Sequence, residues 1–86
     1  MSYGAEEITR KQNFVIKKME QSEINSLESA KSLEELPFFE NGKLKYKRTF
    51  NNLVKQGVIR KNDNKYFLDV ERSKNFKKGF KRFFLI

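Results

Sequence analysis

Residues 50–59 read Phe-Asn-Asn-Leu-Val-Lys-Gln-Gly-Val-Ile, and the period of the hydrophobic pattern changes within this stretch. Apolar side chains on its N-terminal side recur at the i, i+4, i+7, i+8 spacing of a helix buried along one side; they are Tyr46, Phe50, Leu53 and Val54. Gly57 is suited to the positive φ that a chain adopts just past a helix end. The stretch therefore predicts a helix over residues 44–56 that ends at this glycine.

Two short apolar segments follow the glycine, at residues 58–60 and 66–70. In the second, Tyr66, Leu68 and Val70 alternate with other residues, which is typical of a strand. The segment between them, Lys61-Asn62-Asp63-Asn64-Lys65, is rich in residues that form tight turns. We therefore expect two strands joined as a hairpin.

Two helical segments are predicted upstream, over residues 5–20 and 22–36. The second has a capping-box pattern at Ser32-Leu33-Glu34-Glu35, which suggests a break just before Ser32. Pro37 disfavours helical geometry at the residue before it. Asn41-Gly42 then predicts a turn within residues 37–43.

The C-terminal segment, residues 72–86, has the pattern of a basic amphipathic helix. Lysines occupy one side, and the opposite side carries Phe76, Phe80, Phe83 and Phe84. We therefore divide the chain into a domain of residues 1–71 and a C-terminal helix of residues 72–86.

Charge is distributed unevenly along the chain. Residues 1–41 carry five basic and eight acidic side chains, a net charge of −3, whereas residues 42–86 carry fourteen basic and three acidic ones, a net charge of +11. A concentrated positive charge attracts polyanions such as nucleic acid or an anionic membrane.

The composition argues against several classes of function. Cysteine and histidine are absent, so disulfides are excluded and neither a zinc site nor histidine-based acid–base catalysis is expected. No glycine-rich phosphate loop, secretory signal or run of about 20 apolar residues is present. We expect a cytoplasmic protein that is not an enzyme and has no metal, no cofactor and no catalytic residues.

The predicted order of elements resembles the winged helix-turn-helix superfamily. The resemblance rests on residues 32–36 as the start of a second helix, residues 46–56 as the third helix, and residues 57–61 leading into residues 66–68. A strand commonly precedes the second helix of this family, and residues 29–31 are our candidate for it. The resemblance implies an α+β, mostly helical fold: a three-helix core, a two-stranded wing and here an additional C-terminal helix.

The resemblance also implies a DNA-binding protein, most simply a small transcriptional regulator. Helix 44–56 would enter the major groove, where Arg48 suits guanine or phosphate and Asn51 or Asn52 suits adenine. Lys45 and Lys55 would contact phosphates, which position a protein without specifying a sequence. The wing, residues 58–70, would touch the backbone through Arg60, Lys61, Asn62 and Lys65. Double-stranded DNA is the expected partner.

Two alternatives remain open at this point. The fold could serve as a protein-interaction module without binding DNA. For the C-terminal helix we expect burial at a homodimer interface, formed by Phe76, Phe80, Phe83 and Phe84. The alternatives are packing on its own domain, an anionic membrane surface, contact with nucleic acid, or disorder.

Overall fold

The computed structural model describes residues 4–79, which form a small α+β protein. In chain order, the elements are α1 (Gly4–Gln21), β1 (Lys31–Ser32), a 3-10 turn (Leu33–Glu35), β2 (Phe39–Glu40), β3 (Lys43–Leu44), α2 (Lys47–Lys55), β4 (Ile59–Asn62), β5 (Lys65–Leu68) and α3 (Val70–Gly79). Two α-helices, α1 and α2, pack together and against the strands, and α3 follows the last strand.

Helix α1 matches the prediction over residues 5–20 and stops at a defined C-terminal motif. Glu23 adopts φ 57° and donates its N–H to the carbonyl of Glu20, while Ile24 donates to the carbonyl of Met19. These bonds satisfy the last carbonyls of the helix in the pattern usually completed by glycine. Ile24 and Met19 are both buried, so their packing holds the chain where it leaves the helix.

The helix predicted over residues 22–36 is wrong: the segment is a loop, the strand β1 and a single 3-10 turn. Ser26 and Ser29 hydrogen-bond each other, and the Ser29 hydroxyl accepts the N–H of Asn25 at 3.1 Å. Such short polar side chains compete with helical backbone bonds. The predicted three-helix core is therefore corrected to two α-helices and this turn within the described residues.

The capping signal at Ser32 marks the start of the short 3-10 turn. The Glu35 carboxylate accepts the backbone N–H of Ser32 at 3.1 Å and its hydroxyl at 3.0 Å. These two bonds hold the pKa of Glu35 below its ordinary value, and the bond from the backbone N–H has the larger effect. Leu36 is extended, as expected before Pro37, so the turn cannot propagate into a helix.

The turn predicted at Asn41-Gly42 is confirmed and is the tip of a small hairpin, β2–β3, whose two strands were not predicted. Asn41 and Gly42 form its tip with φ of 55° and 77°, the left-handed pair that matches strand twist in a two-residue hairpin. The hairpin brings Phe38 and Leu44 into the core.

Helix α2 begins at Lys47, three residues later than predicted. Residues 43–44 are paired with 39–40, and Tyr46 adopts a left-handed conformation, φ 60° and ψ 49°, that cannot lie within a helix. The end agrees with prediction: Gly57 has φ 81°, and Val58 donates to the carbonyl of Leu53. Phe50 and Leu53 of α2 are buried.

The predicted wing is an antiparallel hairpin whose register pairs Ile59 with Leu68 and Asn62 with Lys65. Strand β1 pairs with the other edge of β5, giving the order β1-β5-β4. This third strand lies at residues 31–32, displaced towards the C-terminus from the candidate at 29–31. The prediction that Val70 continues the second strand is wrong, because Val70 begins α3 and is exposed.

The core lies between α1, α2 and the three-stranded sheet. Its members are the buried side chains Val15, Ile16, Met19, Ile24, Leu36, Phe38, Leu44, Phe50, Leu53, Val58, Ile59 and Leu68. Helix α3 begins at Val70 rather than at residue 72, and its Phe76 is half-buried against this core. Phe80, Phe83 and Phe84 lie outside the described residues.

Candidate nucleic-acid interface

Four of the predicted DNA-binding side chains lie together on the outer face of α2. Arg48, Asn51, Asn52 and Lys55 are all exposed and line one shallow depression of about 270 Å³. This grouping follows from the helical period, because these positions are opposite Phe50 and Leu53. We call the four residues the α2 face.

The α2 face offers the donors and acceptors that base edges and phosphates require. Arg48 and Lys55 are cationic, and the amide oxygen of Asn52 accepts a hydrogen bond from Gln56 at 3.2 Å. That bond restrains the Asn52 amide while its NH2 group can still donate. No acidic residue lines the depression among the described residues, so the α2 face attracts anions.

The hairpin tip forms a second, separate group. Asn62 and Lys65 line another depression, of about 400 Å³, together with Leu27, Ser32 and others. Lys61 is exposed, with its Nζ 5.9 Å from the centre of the Tyr66 ring. The structure therefore places the predicted wing residues Asn62 and Lys65 close to β1. They line a different depression from that of the α2 face.

Arg60 is engaged within the protein. Its Nε donates to Oδ2 of Asp69 at 2.9 Å, and Oδ1 of Asp69 accepts the N–H of Arg72 at 3.0 Å. The hydrogen bond from the Arg72 N–H is the main cause that holds the pKa of Asp69 below its ordinary value, and the bond from Arg60 acts in the same direction. Sequence reasoning missed Asp69, although an aspartate just before a helix is a known capping signal.

Asp69→Ala is expected to lower the free energy of unfolding by about 1 kcal/mol, because it removes the cap of α3 and the partner of Arg60. A carboxylate with a lowered pKa stabilises the fold above its ordinary pKa of 3.8, and this contribution is lost as the pH falls through the lowered value. Urea unfolding of the wild type and of Asp69→Ala, from pH 7 to pH 2, measures the difference in their free energies of unfolding. Asp69→Asn, which retains a capping oxygen, should lower the free energy of unfolding by less than Asp69→Ala does. A difference that is unchanged at pH 2 would contradict the assignment.

Lys45 belongs to a third group and does not line the α2 face. Its Nζ lies 5.2 Å from the centre of the Phe14 ring and 5.5 Å from that of Tyr46. Lys11 and Lys18 of α1 approach the same two rings. These two lysines were not among the predicted site residues, and their spacing of three or four residues from Phe14 was the available signal.

Comparisons with protein-family models, with curated proteins and with solved structures find no match to this chain. Among residues 4–79, no helix has the length and apolar character needed to cross a membrane. The same residues contain no group of three or more acidic side chains placed to hold a metal ion. The fold and the surface therefore define the class: a small α+β protein with an exposed, basic helix face.

Proposed function

We propose that this protein is a DNA-binding protein of winged-helix type that reads duplex DNA with the α2 face. The observation that carries the proposal is the α2 face itself: an arginine, two asparagines and a lysine are exposed together on one helix, and no acidic residue of the described chain lines their depression. Arginine pairs with guanine and asparagine with adenine in the major groove. An α-helix such as α2 is about 10–12 Å in diameter with its side chains, which matches a major groove about 12 Å wide.

The surrounding elements support the winged-helix proposal. A basic hairpin directly follows α2, and a short strand from upstream pairs with its second strand. In this proposal Lys61 and Lys65 contact the phosphate backbone beside the site of α2. The chain departs from the family in one respect, since a 3-10 turn and a small hairpin stand where a second α-helix is expected. We propose a role as a small transcriptional regulator.

Salt dependence tests the proposal directly. If Lys55, Lys61 and Lys65 each neutralise a phosphate, log K against log salt concentration should have a slope of about −3 or steeper for duplex DNA. Fluorescence anisotropy with a labelled duplex, after selection of preferred sequences from a random pool, measures the slope and the preference. Absence of duplex binding at low salt would contradict the proposal and would favour a protein-interaction module.

A further inference from the structure

Three lysines surround two aromatic rings where α1 meets the start of α2. The rings of Phe14 and Tyr46 are in edge-to-face contact, with centres 5.3 Å apart. The Nζ atoms of Lys11, Lys18 and Lys45 each lie 5.2–5.6 Å from the centre of one or both rings. We call these five residues the lysine–aromatic cluster.

The ammonium groups of the cluster are not neutralised by carboxylates within the described part of the chain. The salt bridges found there join Arg10 to Glu7 and Arg60 to Asp69. Lys45 shares the Phe14 ring with Lys18 and the Tyr46 ring with Lys11, so three like charges are grouped around two adjacent rings. Such an arrangement raises the local positive potential and favours the arrival of an anion.

The backbone next to Lys45 is strained. Tyr46 adopts φ 60°, which is unfavourable for a bulky side chain. The conformation is maintained by the hydrogen bond from the Lys45 N–H to the Phe38 carbonyl, 2.9 Å long, and by the contact of the Tyr46 ring with Phe14. Lys45 extends towards Phe14 of α1 and does not line the depression of the α2 face.

The chemistry of the cluster favours a chain of phosphates as its ligand. Lysine ammonium groups act as compact point charges towards phosphate. An ammonium group that lies over a ring retains N–H donors directed away from it. Because lysines cover the ring faces, the rings are poorly placed to stack on bases or to insert between lipid chains. Several separated cations suit successive phosphates better than they suit a single carboxylate.

We propose that the lysine–aromatic cluster binds the phosphate backbone of the DNA that the α2 face reads, which makes it a second contact surface at the N-terminal end of α2. This inference rests on the proposed function and extends it to Lys11 and Lys18. The cluster positions the duplex and contributes affinity without sequence preference.

The test compares the wild-type chain with the triple variant Lys11→Gln, Lys18→Gln, Lys45→Gln. Glutamine retains most of the side-chain stem and removes the charge. We expect the salt slope for duplex DNA to become shallower by between about 2 and 3, at about 0.9 for each lost phosphate contact, while the preferred sequence stays the same. Replacing the same three lysines with arginine should restore the slope.

A matched control removes three lysines outside the cluster: Lys17→Gln, Lys31→Gln, Lys43→Gln. Because it also loses three lysines, this variant has the same net charge as the cluster variant. All three of its positions are exposed. Circular dichroism of each variant verifies that it folds. The inference would be overturned, and the proposed function left intact, if the salt slope of the cluster variant equalled that of the wild type. The same holds if the slope became equally shallow in the control variant. A wild-type chain that binds no duplex would overturn both.

A second measurement separates nucleic acid from lipid as the source of the phosphate. Vesicles containing phosphatidylserine are added to the wild-type chain and to the cluster variant. We expect the cluster substitutions to weaken duplex binding more than they weaken vesicle binding. If the variant loses vesicle binding and keeps its full affinity and slope for DNA, the surface is a membrane contact and the inference fails.

Discussion

Phe50→Ala is expected to lower the free energy of unfolding by about 3–5 kcal/mol, the usual cost of removing a buried phenylalanine side chain. Phe50 is 1% exposed, and its ring contacts Phe38 and Tyr66 with centre distances of 5.7 and 5.1 Å. It therefore joins α2 to Phe38 and to strand β5. Domains of this size are stable by only about 5–10 kcal/mol, so much of the margin would be lost.

Thermal unfolding followed by circular dichroism measures this effect. For a domain of this size the midpoint should fall by roughly 12 °C or more. Asn51→Ala is the matched control: it alters the adjacent residue of the same helix, but Asn51 is exposed and its replacement should change stability by less than about 0.5 kcal/mol. A Phe50→Ala midpoint within a few degrees of the wild type would contradict the described core.

The second large effect concerns sequence preference on DNA. Arg48→Ala and Asn52→Ala should each remove about 1–3 kcal/mol of discrimination at one base pair, a factor of roughly 5 to 150. Both side chains are exposed on the α2 face, so neither change should unfold the protein. Binding to the selected duplex and to duplexes altered at single positions measures the loss.

Lys61→Ala provides the contrast to these substitutions. As a phosphate contact, Lys61 carries no sequence information, so its removal should weaken binding to every duplex about equally and make the salt slope shallower by about 1. Lys17→Ala, on the exposed side of α1, should have little effect. If Arg48→Ala and Asn52→Ala also weakened all duplexes equally, the α2 face would contact only the backbone.

Local signals predicted the second half of the described chain well. The helical spacing around Phe50, the glycine at position 57 and the Asn-rich turn before Lys65 each depend on residues within a few positions of one another. Helix α2, its C-terminal motif and the β4–β5 hairpin follow from them. The α2 face was predictable for the same reason, since the helical period alone groups Arg48 with Lys55.

Other features depended on contacts between distant segments. The helical propensity of residues 22–36 predicted a helix there, yet Ile24, Ala30 and Leu36 are buried side chains on non-helical backbone, while Leu27 is exposed. The N–H of Leu68 bonds to the carbonyl of Ile24 at 2.8 Å, and β1 pairs with β5. Pairing with a hairpin more than thirty residues away therefore overrides the helical propensity of the segment.

The sequence by itself determined where α1 lies, where α2 ends, where the β4–β5 hairpin turns, and that the four residues of the α2 face share one side of the helix, because each depends on the conformation of a few consecutive residues. Where α2 begins depended on the pairing of β3 with β2. The tertiary structure alone decided which basic residues are available. Arg60 is paired with Asp69 across the start of α3. Lys45 joins Lys11 and Lys18 over one ring from α1 and one from the residue just before α2. The net charge follows from composition, but the group that each charged side chain contacts depends on how the chain folds back on itself.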